Sequence, residues 1–284
     1  MTNKQLIGID LGGTHARAGI VDQGIIKKKY SLRINSSGSV DQVLDELYQL
    51  TDQLMNSSVA AIGIGVPSVV DIEKGIVYDV QNIPSWKEVD LKKRMEERYQ
   101  IPVLINNDAN CFALGEKYFG KGQEVDTMIG LAIGTGIGAG IIINNKLYCG
   151  ANCGAGEFGE VAYLDHNYEY YASGQFFTNF YKEAGESMFE KTKAGNQQSI
   201  SIFEEFAIHL GNAIKMILYT FDVGLIILGG SIRQAWPFYQ KKMWEQIKIF
   251  SYPKSITNLK IKISELESPG ILGAVALYYD SNLS

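Results

Sequence analysis

The sequence is poor in cysteine and proline and has no excess of positive charge. Its 284 residues include three cysteines and six prolines, and the formal net charge is −5. A nucleic-acid-binding surface usually needs a basic patch, so this charge balance indicates no nucleic-acid partner. The odd number of cysteines, with no nearby His to complete a ligand spacing, matches no zinc motif and predicts reduced thiols.

The sequence also shows no pattern typical of a segment that directs a chain to a membrane. The first strand pattern starts at Leu6 without a recognisable leader before it, which predicts a cytoplasmic protein with no membrane partner. The uncharged run 127–145 approaches the length of a membrane span. However, it contains five glycines, which are costly inside a helix. Two short strands joined by a Gly-Thr-Gly turn are the better interpretation.

What is present favours an α/β protein. Hydrophobic residues make up 46% of the chain, enough for a sizeable core, and 30 glycines indicate many tight turns. Apolar runs alternate with stretches of helical periodicity. The pattern predicts strands at 5–10, 17–21, 26–32, 59–66, 103–105 and 224–230, a hairpin at 127–143, and helices at 40–55, 91–99, 173–181, 200–221, 236–250 and 270–279.

Two segments of the chain echo each other. Residues 7–14 match residues 129–136 position by position as a strand followed by a glycine turn. This repeat suggests duplicated halves, each presenting a glycine turn to a shared cleft. We expect a small N-terminal α/β domain over 1–115, a larger one over 116–269, and a C-terminal helix, about 270–284, that packs back on the first.

The most informative junction lies between the predicted strand 103–105 and a helix starting near Ala109. Ligands of α/β sheets bind at the carboxyl ends of strands, which is where Asp108 falls. Asp108 is therefore a candidate base. The alternative is that it serves as the N-cap of the helix, because Asp is a favoured N-cap residue.

Glycine turns and carboxylates supply two further groups of candidates. Asp10-Leu-Gly-Gly-Thr14 joins a carboxylate to backbone N–H groups that can hold an anion, and Gly134-Thr-Gly-Ile-Gly138 is a second such turn. Asp10 is suited to hold a hydrated Mg²⁺. A cluster of Glu157, Glu160 and Glu169 beside glycine-rich backbone is a candidate polyol site, since carboxylates accept hydrogen bonds from sugar hydroxyls. An ordinary hairpin and a solvated acidic loop are the respective alternatives.

Several motifs in a fixed order carry a resemblance to a known family. They are Asp10-x-Gly-Gly-Thr14, Gly65-Val-Pro67, Asn82-Ile-Pro-x-Trp86, Asn107-Asp-Ala-Asn110, Gly134-Thr-Gly-Ile-Gly138, Gly156-Glu-x-Gly159, Tyr171-Ala-Ser-Gly174, Leu228-Gly-Gly230 and Gly270-x-x-Gly273. The whole chain resembles the ROK family of sugar kinases and repressors. That resemblance implies an actin-like, hexokinase-like (ribonuclease H-like) duplicated fold of two α/β domains with a central cleft.

The resemblance also implies an activity and roles for residues. It implies transfer of the γ-phosphoryl group of ATP to a hexose hydroxyl, with Asp108 as base, Mg²⁺ as cofactor and a homodimer as the assembly. The positions that it matches to ATP phosphates or adenosine are Gly12, Gly13, Thr14, Gly134, Thr135, Gly136, Gly229 and Gly230, together with Asp10. Those that it matches to the sugar are Ser68, Asn82, Asn107, Asp108, Glu157, Glu160 and Glu169.

The chain departs from the family pattern at the zinc loop. Many members carry a His followed by a cysteine-rich loop, whereas here Glu160 replaces the His and the residues up to Tyr168 contain no cysteine. We therefore predict no structural zinc, and Glu160 can replace the His only as an acceptor. Ser68 stands where a Gly is common beside the sugar.

Three hypotheses about function follow. The first is a hexose kinase, most simply acting at the 6-hydroxyl of glucose, with N-acetylmannosamine, N-acetylglucosamine and fructose as competing substrates. The second is a repressor, which we expect to be disfavoured because family repressors place a helix-turn-helix before the first phosphate strand. The third is a catalytically inactive sensor of sugar or nucleotide, against which the retained Asp10 and Asp108 argue.

Overall fold

The computed structural model describes residues 4–80 and 82–281, and these contain fifteen strands. The strands are β1 (Gln5–Leu11), β2 (His15–Asp22), β3 (Ile25–Arg33), β4 (Val59–Val66), β5 (Val69–Asp71), β6 (Ile76–Tyr78), β7 (Glu88–Val89), β8 (Val103–Asn107), β9 (Met128–Ile133), β10 (Ile137–Ile143), β11 (Lys146–Tyr148), β12 (Ala162–Tyr163), β13 (His166–Asn167), β14 (Leu225–Gly229) and β15 (Lys260–Ile263).

Ten α-helices accompany the strands within the same described ranges. They are α1 (Val40–Asp52), α2 (Leu91–Tyr99), α3 (Asp108–Phe119), α4 (Tyr168–Ala172), α5 (Gly174–Tyr181), α6 (Gly185–Lys193), α7 (Gln197–Phe221), α8 (Trp236–Ile247), α9 (Pro253–Asn258) and α10 (Pro269–Ser281). Short 3₁₀ turns lie at Phe158–Glu160 and Ser231–Ala235.

Two five-stranded sheets form the framework. The first has the order β3-β2-β1-β4-β8, and the second has the order β11-β10-β9-β14-β15. In the first, β1 pairs antiparallel with β2 and parallel with β4, and β4 pairs parallel with β8. The carboxyl ends of β1, β4 and β8 therefore lie along one edge of this sheet, where the turn after β1 and the start of α3 begin.

Burial of apolar side chains explains the placement of these strands. β1 and β4 are nearly continuous apolar runs, as is typical of strands covered on both faces. β3 lies at the edge, and the charge of its three consecutive lysines, residues 27–29, suits an exposed edge strand. α1 begins with a capping box in which Ser39 and Gln42 each bond the other's backbone N–H. The predicted α/β class is thus confirmed.

The chain forms two compact units. The first comprises the described residues up to Asp126, the segment Gly140–Ala155 and the residues from Glu265 onward, and the second comprises Thr127–Ala139 and Gly156–Ser264. Within the first unit, α10 packs against α3, β1 and β4. The domain boundary expected near Gly115 stays a prediction, and Gly115 itself lies inside α3.

Most predicted elements are present, with shifted ends. The helix predicted over 40–55 ends at Asp52, the one over 236–250 ends at Ile247, and the one over 200–221 begins earlier, at Gln197. The helix predicted over 173–181 is α5, which α4 precedes. The strands β5–β7, β11–β13 and β15 and the helices α4, α6 and α9 were not predicted. Across residues 4–80 and 82–281, no helix combines the length and the apolar character that crossing a membrane requires.

Candidate functional site

In the first unit, the junction between β8 and α3 carries a network of side-chain amides. Asn106 is buried, and its Oδ1 accepts hydrogen bonds from Asn107 N (2.8 Å) and from Asn110 Nδ2 (2.9 Å). Asn110 is also buried, with 1% of its surface exposed. Asp108 lies between them in sequence and is exposed at the first position of α3. The network therefore fixes the backbone on both sides of an accessible carboxylate.

The helix is capped by Asn107, so the interpretation of Asp108 as the N-cap is wrong. Asn107 has extended backbone, and its Oδ1 accepts from the backbone N–H groups of Ala109 (2.8 Å) and Asn110 (3.4 Å). Its Nδ2 donates to the carbonyl of Ser68 at 3.3 Å. Asp108 is left as the acidic residue of the first helical turn, where the helix dipole favours its negative charge.

The turn after β1 lies beside a predicted sugar residue. The N–H of Gly12 donates to His15 O at 2.9 Å, which closes the turn, and Thr14 is exposed at its tip. A Cβ atom added to Gly13 would lie 2.2 Å from Cβ of Asn82, so Asn82 packs directly on this turn. The structure thus brings Gly12, Gly13 and Thr14 together with Asn82. Ser68 donates its hydroxyl to the carbonyl of Tyr78.

Asp10 lies on β1 just before this turn and forms an ion pair with Arg17. The two residues are cross-strand partners of β1 and β2, and Arg17 Nη1 lies 3.6 Å from Asp10 Oδ2. Burial raises the pKa of Asp10, and the nearby Arg17 charge lowers it to a smaller extent. Because the pair is partly exposed on the Arg17 side, Asp10 can exchange this partner for another cation.

The residues around Asp10 fit a hydrated Mg²⁺. The Asp10 carboxyl packs directly on Gly270, since a Cβ atom added to Gly270 would lie 2.5 Å from its Cγ, and Asp10 also borders a cavity of about 510 Å³. Mg²⁺ in phosphoryl-transfer sites keeps several waters and takes only one or two protein carboxylates. A single, partly exposed carboxylate beside a cavity suits that mode. Within 4–80 and 82–281, no three His, Cys, Asp or Glu side chains are grouped to ligate a metal, and the absence of structural zinc stays a prediction.

In the second unit, the turn between β9 and β10 is held by the start of α5. Gly134 O accepts from the N–H of Gly174 at 2.7 Å, and Thr135 O accepts from Ser173 Oγ at 2.8 Å. The N–H of Gly134 donates to Gly136 O at 3.0 Å. The Tyr171-Ala-Ser-Gly174 motif thus fixes the Gly134-Thr-Gly136 turn through its last two residues.

Glu169 reinforces the same turn. Its Oε2 accepts from the N–H of Ile137 at 2.8 Å and its Oε1 accepts from Gln175 Nε2 at 2.7 Å. Both carboxylate oxygens therefore already have protein partners. The contact of Glu169 with a sugar stays a prediction. Its hydrogen bonds show that the side chain holds the glycine turn in position.

Glu157 and Glu160 lie on the acidic loop before α4. Glu157 is exposed, but partial desolvation is the largest effect that raises its pKa. The negative charges of Glu160 and Glu169 raise the pKa further. Glu160 is exposed and accepts from Asn167 Nδ2 at 3.1 Å. The charges of Glu160 on the same loop and of Glu169 on α4 are therefore close enough to act on Glu157.

A cavity of about 410 Å³ opens beside the second glycine turn. It falls within the range of small-molecule sites. Gly134 and Thr135 lie at one side, and aromatic rings of Phe177, Phe189 and Phe203 form much of the wall. Such a wall suits a planar, largely apolar group joined to an anion held at the glycine turn.

The end of β14 closes the cavity on its other side. Ser231, Ile232, Gln234 and Ala235 line it, directly after the predicted residues Gly229 and Gly230. Gly230 has φ +76°, and a Cβ atom there would lie 2.1 Å from Ile133 O, so a residue with a side chain does not fit. The sequence analysis missed the cavity residues Ala184, Gly185 and Glu186, because nothing in their local pattern marks them as a wall.

Solved structures identify the fold. A ROK family glucokinase from Streptomyces griseus, in complex with glucose and AMPPNP, superposes with a TM-score of 0.83 and 26% identity, covering 96% of this chain and 98% of that one. The fold is accordingly the actin-like, hexokinase-like α/β fold that the motifs predicted. A family model described as ROK family matches residues 6–281, and the chain belongs to that family.

Curated relatives include both enzymes and regulators. A glucokinase from Thermotoga maritima is 28% identical over 317 residues, covering 98% of both chains. A xylose repressor from Bacillus subtilis is 29% identical over 297 residues, covering 96% of this chain and 77% of the repressor.

Proposed function

We propose that this chain is an ATP-dependent hexose kinase that phosphorylates the 6-hydroxyl of glucose, with Asp108 as the base. The coarser statement, that the chain is an ATP-dependent sugar kinase of the ROK family, is supported by the glucokinase relatives. The finer proposal rests chiefly on one observation: Asp108 is an exposed carboxylate at a strand–helix junction whose cap is supplied by another residue.

The proposed mechanism assigns a task to each set of residues. Asp108 accepts the proton of the sugar hydroxyl as that oxygen attacks the γ-phosphorus and the bond to ADP breaks. In the turns at Gly12–Gly13 and Gly134–Gly136, the backbone N–H groups other than those of Gly12 and Gly134, which already bond within the turns, stabilise phosphate oxygens. Asp10 would hold hydrated Mg²⁺ through water, and the bound ion would neutralise charge on the phosphates. Asn82, Asn107, Glu157 and Glu160 are the proposed partners of sugar hydroxyls, with Ser68 and Glu169 beside them.

Sugar-dependent ADP release tests the proposal. The purified chain is assayed with Mg²⁺-ATP over glucose, fructose, mannose, N-acetylglucosamine and N-acetylmannosamine, and product is identified by mass and by the position of the phosphate. If glucose gives the fastest turnover, the result supports the proposal. If an N-acetyl sugar gives the fastest turnover, that sugar takes the place of glucose as the proposed substrate. Binding of ATP or sugar without turnover favours the sensor. A cytoplasmic location stays a prediction from the sequence pattern, and a homodimer stays a prediction from the family resemblance.

The 410 Å³ cavity is the proposed adenosine site, and Ala184 offers a way to fill it. Ala184 is exposed, precedes α6 and lines the cavity, so Ala184→Trp places an indole where the nucleotide would lie. We expect KM for ATP to rise by about tenfold, which corresponds to about 1.4 kcal/mol of binding. KM for the sugar should stay unchanged. Ala194→Trp, at the opposite end of α6, is the matched control. An equal rise of both KM values in Ala184→Trp would argue against a nucleotide at this place.

The raised pKa of Glu157 predicts how sugar use depends on pH. A carboxylate accepts hydroxyl hydrogen bonds, and protonation removes acceptor capacity. Because the pKa is raised, protonation begins at higher pH than for an ordinary glutamate, so kcat/KM for the sugar should fall as pH drops toward that pKa. Glu160→Gln removes one charge that raises the pKa and should move this fall to lower pH.

Profiles of kcat/KM against pH for wild type, Glu157→Gln and Glu160→Gln measure the effect. Glu157→Gln should remove the part of the fall in kcat/KM at low pH that protonation of Glu157 causes. Glu204→Gln, on the exposed face of α7, is a control for loss of one negative charge and should leave the profile unchanged. A Glu160→Gln profile that overlays the wild-type profile would show that Glu157 does not set the limb.

A further inference from the structure

Two thiols lie against the asparagines that flank Asp108. Asn106 Nδ2 donates to Cys149 Sγ at 3.5 Å, and Cys153 Sγ donates to Asn106 Oδ1 at 3.3 Å. Asn110 Nδ2 lies 3.8 Å from Cys149 Sγ and 3.7 Å from Cys153 Sγ. Both thiols thus share the amide network that fixes the start of α3, and the proposed phosphoryl transfer does not use either of them.

The two sulfur atoms also contact each other and differ in acidity. Cys149 donates its S–H to Cys153, and this hydrogen bond lowers the pKa of Cys153, although burial opposes the shift. Hydrogen bonds from the backbone of Asn107 and Val70 lower it further. The same S–H bond, together with burial, raises the pKa of Cys149. Cys153 is therefore the more acidic thiol of the pair, and it becomes the nucleophile when it loses the proton that it donates to Asn106.

Solvent reaches this pair at Cys149, next to which Cys153 is buried, and a short loop joins the two residues. Cys149 is partly exposed and lines a cavity of about 200 Å³ together with Asn106 and Asp280. The intervening residues are Gly150, Ala151 and Asn152, and Gly150 has φ +72°, a conformation that glycine adopts without strain. A disulfide needs a separation of about 2.05 Å between the sulfurs, and this loop must bring together two sulfurs that already contact the same Asn110 amide.

We propose that Cys149 and Cys153 are a peroxide-sensitive thiol pair whose disulfide disengages Asn106 and Asn110 and thereby displaces the start of α3. The Cys153 thiolate attacks one peroxide oxygen, the O–O bond breaks, and a sulfenic acid and water result once hydroxide takes up a proton. The sulfur of Cys149 then attacks the sulfenic sulfur, forming the S–S bond as the second water leaves. Two thiols and one hydrogen peroxide thus give one disulfide and two waters.

The disulfide changes the network because it removes the S–H donor of Cys153 and moves both sulfur atoms, which accept hydrogen bonds from the amides. Cys153 no longer donates to Asn106 Oδ1, and both sulfurs shift toward each other and away from the Asn106 and Asn110 amides. Those asparagines are buried, so a lost partner is costly and the backbone rearranges to recover one. Since Asp108 lies between them, its carboxylate moves. The effect on turnover rests on the proposed function, whereas disulfide formation does not.

Treatment of the full chain with hydrogen peroxide, followed by dithiothreitol, tests the proposal. Wild type should lose two hydrogen atoms in mass, and its peptide map should join Cys149 to Cys153. Hydrogen exchange at the N–H groups of Ala109 and Asn110, which Asn107 now holds, should speed up. Sugar-dependent turnover should fall by about tenfold or more, since small misplacements of catalytic groups cost that much. Dithiothreitol should reverse all three changes.

Variants separate the steps. Cys149→Ser should stop at a sulfenic acid on Cys153 that dimedone traps, and Cys153→Ser should form no disulfide. Cys111→Ala, which removes the fully buried third thiol, should behave as wild type. A cross-link to Cys111, or a Cys149–Cys153 disulfide that leaves exchange in 106–112 unchanged, would overturn the proposal. If the reduced chain turns over no sugar, the hexose-kinase proposal fails, while the cross-link and the exchange still decide this one.

Discussion

Asp108→Asn should lower kcat for sugar-dependent ADP release by about a hundred- to ten-thousand-fold, the range that general base catalysis contributes. The asparagine keeps the size of the side chain but has no capacity to take up the hydroxyl proton at neutral pH. Because Asn107 supplies the cap, the substitution removes no capping hydrogen bond. The substitution also removes the interaction of the charge with the helix dipole, worth about 0.3–1 kcal/mol. The loss of activity should therefore occur in a folded protein.

Steady-state kinetics with thermal unfolding separates the two effects. KM for ATP should stay near the wild-type value, since Asp108 is not a proposed ATP contact. Asp90→Asn is a matched control, because Asp90 also stands exposed at the start of a helix and makes no side-chain cap hydrogen bond. Asp108→Asn protein with kcat near that of wild type would show that another group takes the proton.

Gly273→Ala should destabilise the first unit, although alanine is the better helix former by about 1 kcal/mol. Gly273 lies within α10, and a Cβ atom added there would lie 1.9 Å from Cys111 O and 2.4 Å from Cys111 C on α3. These are backbone atoms, which cannot rotate away, so the helices must separate. Overpacking of this kind costs typically about 1–3 kcal/mol, and a clash with backbone belongs at the upper end.

Thermal and denaturant unfolding measure this effect. For a unit of this size, about 3 kcal/mol corresponds to a fall in Tm of about 6–12 °C. Gly154→Ala is the control, because an added methyl group there has nothing within 4 Å. A Gly273→Ala protein as stable as wild type, or more stable, would mean that helix propensity outweighs the contact and that α10 adjusts freely on α3.

The predicted elements that are present owe their success to local signals. β4 is a continuous apolar run of eight residues, and its predicted bounds match because burial on both faces leaves no ambiguity. By contrast, α6 was missed because it is rich in charged residues. Its buried residues are Met188 and Thr192, which give it little apolar periodicity. β15 was missed because it is a four-residue edge strand that depends on pairing with β14, which is distant in sequence.

For the candidate site, the sequence located segments better than it located the side chains' partners. The Gly134 turn was found from its glycines, and it does border a cavity. The hydrogen bonds of Glu169 to Ile137 and Gln175 depend on side-chain direction, which no local pattern encodes. The same holds for Asn107, whose cap role competes with the one first considered for Asp108.

The packing of α10 on β1, β4 and α3 has a consequence for the order in which the protein acquires its structure during synthesis. β1 and β4, near the start of the chain, cannot pack against α10 until it has been translated, which happens after the whole second unit. On the ribosome, the second unit can complete its core while the first still exposes the apolar surface around Leu6, Val21 and Ala61. A nascent chain halted before Pro269 should therefore engage hydrophobic-binding chaperones through its earliest strands, and release should coincide with emergence of α10.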